Sequence, residues 1–305
     1  VLAYTVLSPK VKTTPNMSVL PNGDHDRQSF HRFFEHWIVE QNKYLQDLTS
    51  ASKQHKRAKT NTTIAAESTQ TEETRVPDKP HLRPLINRVI LNYEKYYQAK
   101  SRCAKQDAVV MLTPPWTSAL ENAFMWIGGW RPSMAFQLLY SKSGLQLEDQ
   151  IFSFIQGLSI GDLGDLSPRQ LVQIDELQER TIREERKITE KMVKHQETVA
   201  DRSMVQLSHL VTELMGNEEE EGRSTTDGGG LEERVGSVLE LKAVGLENIL
   251  LKADDLRLRT LKAILDILTP IQAVHFLIAA SELHLRFHEW GKKEDASQHV
   301  TGGGN

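Results

Sequence analysis

His284 and His288 lie four residues apart in a stretch of helical periodicity, so both imidazoles leave the same helix face. Neutral imidazoles so placed can clip a metal ion or present a nitrogen to a haem iron. The competing reading is a pair of core or hydrogen-bonded histidines. Axial haem ligands approach iron from opposite faces, so two rings on one helix face cannot easily serve one iron together. Either one ring ligates and the other supports it, or the helix end unwinds, or two chains supply the ligands. His275, nine residues before His284, is half a turn out of phase and reads as core. No catalytic residue is assigned. The chain has no phosphate-binding glycine loop, nucleophile elbow, HExxH or paired-cysteine spacing. Its carboxylates sit in Glu- and Arg-rich helical stretches, where they are ordinarily solvated partners.

The elements that must position these groups are helices. Ser118 and Glu121 form a capping box, Gly128-Gly129 permits a helix end at positive φ, and Pro132 suits the first turn of a following helix. Trp116, Phe124, Trp126, Trp130 and Phe136 make this corner a large apolar patch. Residues 1–28, with three prolines and no apolar period, read as a disordered arm. From Ser29 an amphipathic helix carries Phe30, Phe33, Phe34, Trp37, Tyr44 and Leu48, and ends at the basic run Lys53–Lys59. That run suits a helix C-terminus and is alternatively a nuclear-import signal. A flexible insertion is expected at about 60–80, a helix from about Leu82 to Gln106, and a short one over Leu145–Leu158.

Ser167-Pro168-Arg169-Gln170 is a second cap, and no glycine or proline follows until Gly216. Leu171, Ile174, Leu177, Thr181, Ile188, Met192, His195 and Val199 keep a heptad-like seam. One helix of roughly 48 residues, about 70 Å long, is the expectation. It braces the domain from within or projects as a coil that pairs two chains into a homodimer. An acidic, glycine-rich linker is expected at 216–230, a helix over Leu231–Leu268 bent around Gly245, and a last helix from Thr269 to Trp290, stopped by Gly291. Residues 292–305 read as a disordered tail. No alternating apolar pattern occurs, so the fold class is all-α: a multi-helix bundle braced by one long heptad-patterned helix, with one domain over 29–291.

A formal charge of −4 over 305 residues gives no global attraction to nucleic acid. The single cysteine, Cys103, forms no internal disulfide and fits a reducing compartment. No apolar run is long enough to span a membrane. The first residue is Val1, so any upstream targeting signal would lie outside this sequence.

The corner, the opening Ser29-Phe30-His31-Arg32-Phe33-Phe34-Glu35-His36-Trp37, the Leu166–Leu171 cap, Ala253-Asp254-Asp255-Leu256-Arg257, Ile267–Ala273 and Leu283–Gly291 occur in one order over most of residues 29–291. Together they resemble the plant Delay-of-Germination domain family, which includes the C-terminal domain of TGA-type bZIP transcription factors. The resemblance implies a non-enzymatic regulator of seed dormancy and abscisic-acid response, working in the nucleus, the cytoplasm or both. It implies haem binding through His284 and His288, which occupy the family founder's histidine positions in Leu-His-Leu-x-x-His-Glu-Trp-Gly. It implies partner binding, type 2C protein phosphatases included, through the first helix at Phe33, Phe34 and Trp37. This stretch keeps the aromatic spacing and departs from the founder's acidic, serine-containing version. The alternative is a regulator of DNA-templated transcription similar to the TGA domain. TGA factors read DNA through a basic region and zipper ahead of this domain, whereas residues 1–28 hold only Lys10, Lys12 and Arg27. Direct DNA contact by this chain is therefore not expected.

Overall fold

The computed structural model describes residues 23–66, 81–143, 166–221 and 228–301. Among them every long element is a helix and no strand occurs. The helices are α1 (Gly23–Ala66), α2 (Leu82–Ala104), α3 (Ala108–Leu112), α4 (Ala119–Phe124), α5 (Met134–Ser143), α6 (Pro168–Glu197), α7 (Arg202–Glu221), α8 (Gly228–Ile267) and α9 (Pro270–Thr301). The all-α expectation holds. The helix expected over Leu145–Leu158 lies outside the described residues, as do residues 1–22, 67–80 and 302–305.

The caps form as their local chemistry requires. Ser167 and Gln170 complete a reciprocal box at the start of α6, and Thr269 with Gln272 does the same for α9. The amide of Gln170 also donates to Ile267 O at 3.0 Å and Gln272 Oε1 at 2.8 Å, tying the start of α6 to the α8–α9 corner. The main core lies where α1, α2, α5, α6, α8 and α9 converge on Leu48, Val89, Phe136, Ile174, Ile264 and Phe276. Ile174, Leu177, Thr181 and Ile188 of the heptad seam are buried, and α6 packs on α8. This buried part of the seam is filled by this chain, which is the bracing arrangement, whereas Val199 at its end is 65 % exposed.

Several boundaries differ from the sequence reading. α1 begins before Ser29 and continues past Lys59 to Ala66. Helix also covers 216–221 and 228–230 of the expected linker. The single long rod is instead broken: α6 spans 30 residues, about 45 Å, and a 3-10 turn at Thr198–Ala200 precedes α7. Thr198 Oγ1 donates to His195 O at 2.6 Å, and Asp201 caps α7 by accepting from Met204 N at 3.0 Å. Lys242 Nζ of α8 donates to Thr198 O at 2.8 Å and to the Asp201 carboxylate at 2.5 Å, fixing the break from outside. Short polar side chains offer the backbone this alternative to helix without any glycine or proline.

Gly245 and Gly291 neither bend nor end their helices. α8 runs through Gly245, where an added Cβ would lie 2.1 Å from His195 Cε1. α9 runs through Gly291 to Thr301, and a Cβ there would lie 2.0 Å from Ser118 Oγ. Both glycines admit a neighbouring helix. Gly236 has no atom within 4 Å of its notional Cβ. Alanine substitution therefore separates two effects of opposite sign. Gly236→Ala is expected to stabilise by about 1 kcal/mol through helix propensity. Gly245→Ala and Gly291→Ala are expected to destabilise by about 1–3 kcal/mol through overpacking. Urea midpoints of the three variants check this, and stabilisation by all three would return the latter two to the role of helix breakers.

Candidate functional site

The short helix α4 carries the first half of the site. Ser118 caps it, and both its backbone N–H and its hydroxyl donate to Glu121 Oε2 at 2.8 Å. Glu121, 1 % exposed, has one further partner: His288 Nδ1 lies 2.9 and 3.0 Å from its two oxygens. Burial alone would raise the Glu121 pKa, but the hydrogen bonds from His288 and Ser118 overcome it and hold the group below its ordinary value. It is therefore a carboxylate that accepts, and His288 donates through Nδ1. Asp295, four residues beyond Gly291, accepts from Ala119 N at 3.1 Å, so α9 fastens the start of α4 at two levels.

The second half is a buried ion cluster. Lys100 of α2 donates to Gly128 O at 2.6 Å and to Asp254 of α8 at 3.0 Å. Arg257, one turn after Asp254, donates to the same carboxylate, to Trp126 O, to Ile127 O at 2.9 Å and to Trp130 O at 2.6 Å. These bonds hold the corner in a conformation it would not choose alone. Ile127 has φ 47° and Gly128 φ 66°, and a Cβ at Gly128 would meet Met111 O at 2.5 Å. Positive φ at a β-branched residue costs about 1–3 kcal/mol, which the Arg257 bonds must offset. Burial pulls the Lys100 pKa down to about 8, with Arg257 adding to the effect and Asp254 opposing it.

Between the two halves lies a cavity of about 430 Å³. Its walls include Trp37, Tyr93, Tyr96, Trp130, Phe276 and Phe287, and His284. The His284 ring centroid is 5.4 Å from Trp37 and 6.2 Å from Trp130. Burial pushes its pKa down from 6.5 to about 4, which Glu121 partly opposes and His288 reinforces. Tyr93 is pushed up to about 12 by burial.

The structure brings some expected site residues together and separates others. His284 lines the cavity, whereas His288 is held by Glu121 and does not line it. Among the described residues no three His, Cys, Asp or Glu side chains gather to hold a metal ion. The histidine pair does not fit a haem held between its two rings. Phe34 and Trp37, expected to bind partners, are 4 % and 3 % exposed and belong to an aromatic core with Phe30 and Trp116. Phe33 is half-buried against that core. The buried roles of Lys100, Asp254, Arg257 and Glu121 were not legible from spacing. The capping box was the one signal at Glu121, and nothing local marks the rest.

His284 makes stability depend on pH. Its unfolded form takes up a proton near 6.5 and its folded form only near 4, so the unfolded state binds more protons in that window. Stability is full above 6.5 and falls as pH drops towards 4, by at most about 3 kcal/mol. His284→Gln should flatten this slope in urea unfolding, and an unchanged slope would contradict the assignment. Arg257→Met should cost about 3–5 kcal/mol, because it strips a buried carboxylate of one partner and leaves corner carbonyls unpaired. Arg257→Lys should recover only part of that loss in the same assay, since an ammonium lacks the guanidinium fork.

Residues 45–141 match the DOG1 family, described as seed dormancy control. The chain is 29 % identical over 263 residues to protein DOG1-like 3 of Arabidopsis thaliana, covering 84 % of this chain and 81 % of that protein. It is 29 % identical over 274 residues to protein DOG1-like 4 of the same plant, covering 89 % and 96 %. It is also 25 % identical over 260 residues to the TGACG-sequence-specific DNA-binding protein TGA-2.1 of Nicotiana tabacum, covering 85 % of this chain and 45 % of that protein. With the seed-dormancy match inside an all-helical fold, this chain is similar to Delay-of-Germination domain proteins over most of its length.

Proposed function

We propose that this protein is a non-enzymatic regulator of seed dormancy and abscisic-acid response that works by binding protein partners. The observation that carries the reading is the similarity to protein DOG1-like 3 over more than four-fifths of both chains. The partner surface is the outward face of α1. Phe34 and Trp37 point the helix inward by their burial, which leaves Arg32, Glu35, His36 and Val39 exposed on the other side. Val39 is 70 % exposed beside charged neighbours, a mixture suited to a transient protein contact. The partner class is a type 2C protein phosphatase, as the family resemblance implies.

A second reading, action on transcription, is favoured by the similarity to TGA-2.1. The formal charge of −4 argues for an indirect role, since duplex affinity comes largely from cationic neutralisation of phosphates. No helix among the described residues is long and apolar enough to cross a membrane.

The test is calorimetric titration of the protein into a type 2C phosphatase. Val39→Glu and Glu35→Arg are expected to weaken binding about tenfold with unchanged melting temperature. Leu241→Glu, on the exposed side of α8, should leave it unchanged. No heat of binding with the intact chain would refute the phosphatase as partner. Binding indifferent to both α1 variants would refute the surface. In a mobility-shift assay on a TGACG duplex at physiological salt no retardation is expected, and retardation would favour the transcriptional reading.

A further inference from the structure

The cavity between α4 and the ion cluster has walls that define what could fill it. At about 430 Å³ it falls within the range of small-molecule sites. Its flat aromatic surfaces come from three helices, Trp37 from α1, Tyr93 and Tyr96 from α2, and Phe276 and Phe287 from α9, with Trp130 from the corner that precedes α5. Planar apolar groups stack on such surfaces in offset or edge-on geometries.

The charges bordering the cavity are already matched. Lys100 and Arg257 share Asp254 and make their other hydrogen bonds to corner carbonyls. Glu121 is held by His288 and Ser118. Arg131, at the rim, pairs with Glu185 at 3.5 Å. A charged ligand would lose its hydration here and find no free counter-charge, a cost of several kcal/mol. A neutral one escapes that cost.

Among the described residues, two in the lining carry an unmatched buried polar atom: Trp37 Nε1, a donor, and Asp254 Oδ2, an acceptor. Asp254 is 5 % exposed and lines the cavity, and its Oδ2 has no hydrogen-bond partner among the described residues. A buried carboxylate oxygen left so is costly, and it can only accept, so its complement is an O–H or N–H donor. His284 adds a further polar group on the wall, and burial keeps it neutral near pH 7.

We propose that this cavity is a binding site for a neutral, flat aromatic small molecule that carries one hydroxyl or amine N–H donor. The body of the ligand lies between the Trp37 and Trp130 sides and its donor faces Asp254. This site is separate from the outward face of α1, so its test does not depend on the phosphatase reading.

The experiment is a fluorescence titration of the full chain with N-phenyl-1-naphthylamine, a neutral aromatic amine with one N–H. Its sulfonated counterpart 8-anilino-1-naphthalenesulfonate is run alongside. The neutral probe is expected to give a saturable enhancement at one equivalent, with the charged probe at least about tenfold weaker. Ala280→Phe, which fills the lining from α9, should weaken the neutral probe at least about tenfold while circular dichroism stays helical. If Ala280→Phe unfolds the chain, Leu283→Trp carries the same expectation, since Leu283 is 47 % exposed and lines the cavity. A signal that fails to saturate, or that is indifferent to the folded filling variant, overturns the site. Equal binding of the charged probe overturns the neutrality of its ligand.

Discussion

Arg257 is the residue on which the rest of the site depends. A guanidinium has five N–H donors in a rigid fork, and here it makes four bonds, one to Asp254 and three to the carbonyls of Trp126, Ile127 and Trp130. The corner cannot satisfy those carbonyls itself, because Ile127 and Gly128 leave helical φ and break the backbone ladder. Without the fork three buried or half-buried acceptors would lose their donors together. Asp254 then has to balance two cations, and Lys100 supplies the link to α2. The cation over Trp126, 5.4 Å from the ring centroid, closes the arrangement on its apolar side. A buried ion cluster is seldom the most stabilising filling for a core, since desolvation consumes much of the attraction. Its value lies in geometry: apolar side chains could fill the same volume but could not hold a non-helical backbone in one conformation.

The clasp at Glu121 works by the same logic in a smaller space. A capping box normally faces water at a helix start, yet here it is enclosed, with Ser118 and Glu121 each 1 % exposed. Enclosure is tolerable because both carboxylate oxygens have partners, supplied by Ser118 and by His288 from a helix 167 residues away in sequence. Gly291 lets α9 come close enough for that bond, which explains a glycine in the middle of a helix that continues for ten further residues. The two clasps both border the cavity and are anchored on different helices. An apolar cavity can persist in a packed interior when its frame is fixed in this way.

What could be read from the sequence follows the range of each interaction. The boxes at Ser118, Ser167 and Thr269 were legible because a cap is made by residues three apart. The α6 seam was legible because burial along a helix repeats every three or four residues. Gly245 and Gly291 were misread because local rules treat glycine as a stop, whereas their cause is a ring or hydroxyl from a distant helix. The rod break at Thr198–Asp201 escaped notice because its determinant, Lys242, lies beyond the expected linker. The pairing of His284 and His288 was visible, but their environments were not. One faces a cavity and the other a carboxylate, although both leave one face of one helix. Lys100, Asp254 and Arg257 carry no local mark at all, since a charged residue in a helix is ordinarily solvated and only its partner 154 residues away shows otherwise.

α1 joins the two surfaces through which a regulator of this kind would act. Its inner face gives Trp37 to the cavity wall, and its outer face carries Glu35, His36 and Val39 within one turn of that residue. A helix is stiff over such a distance, so a displacement at Trp37 is carried to Val39 with little loss. Proximity alone does not couple the sites. A molecule in the cavity alters partner affinity only if it binds two positions of α1 unequally, and the coupling cannot exceed that difference. Trp37 and Tyr96 touch with ring centroids 4.6 Å apart and planes tilted by 37°, and their contact contributes to that difference. A ligand that slots beside the ring pair leaves α1 where it is, and one that parts the two rings must move the helix and the surface it presents.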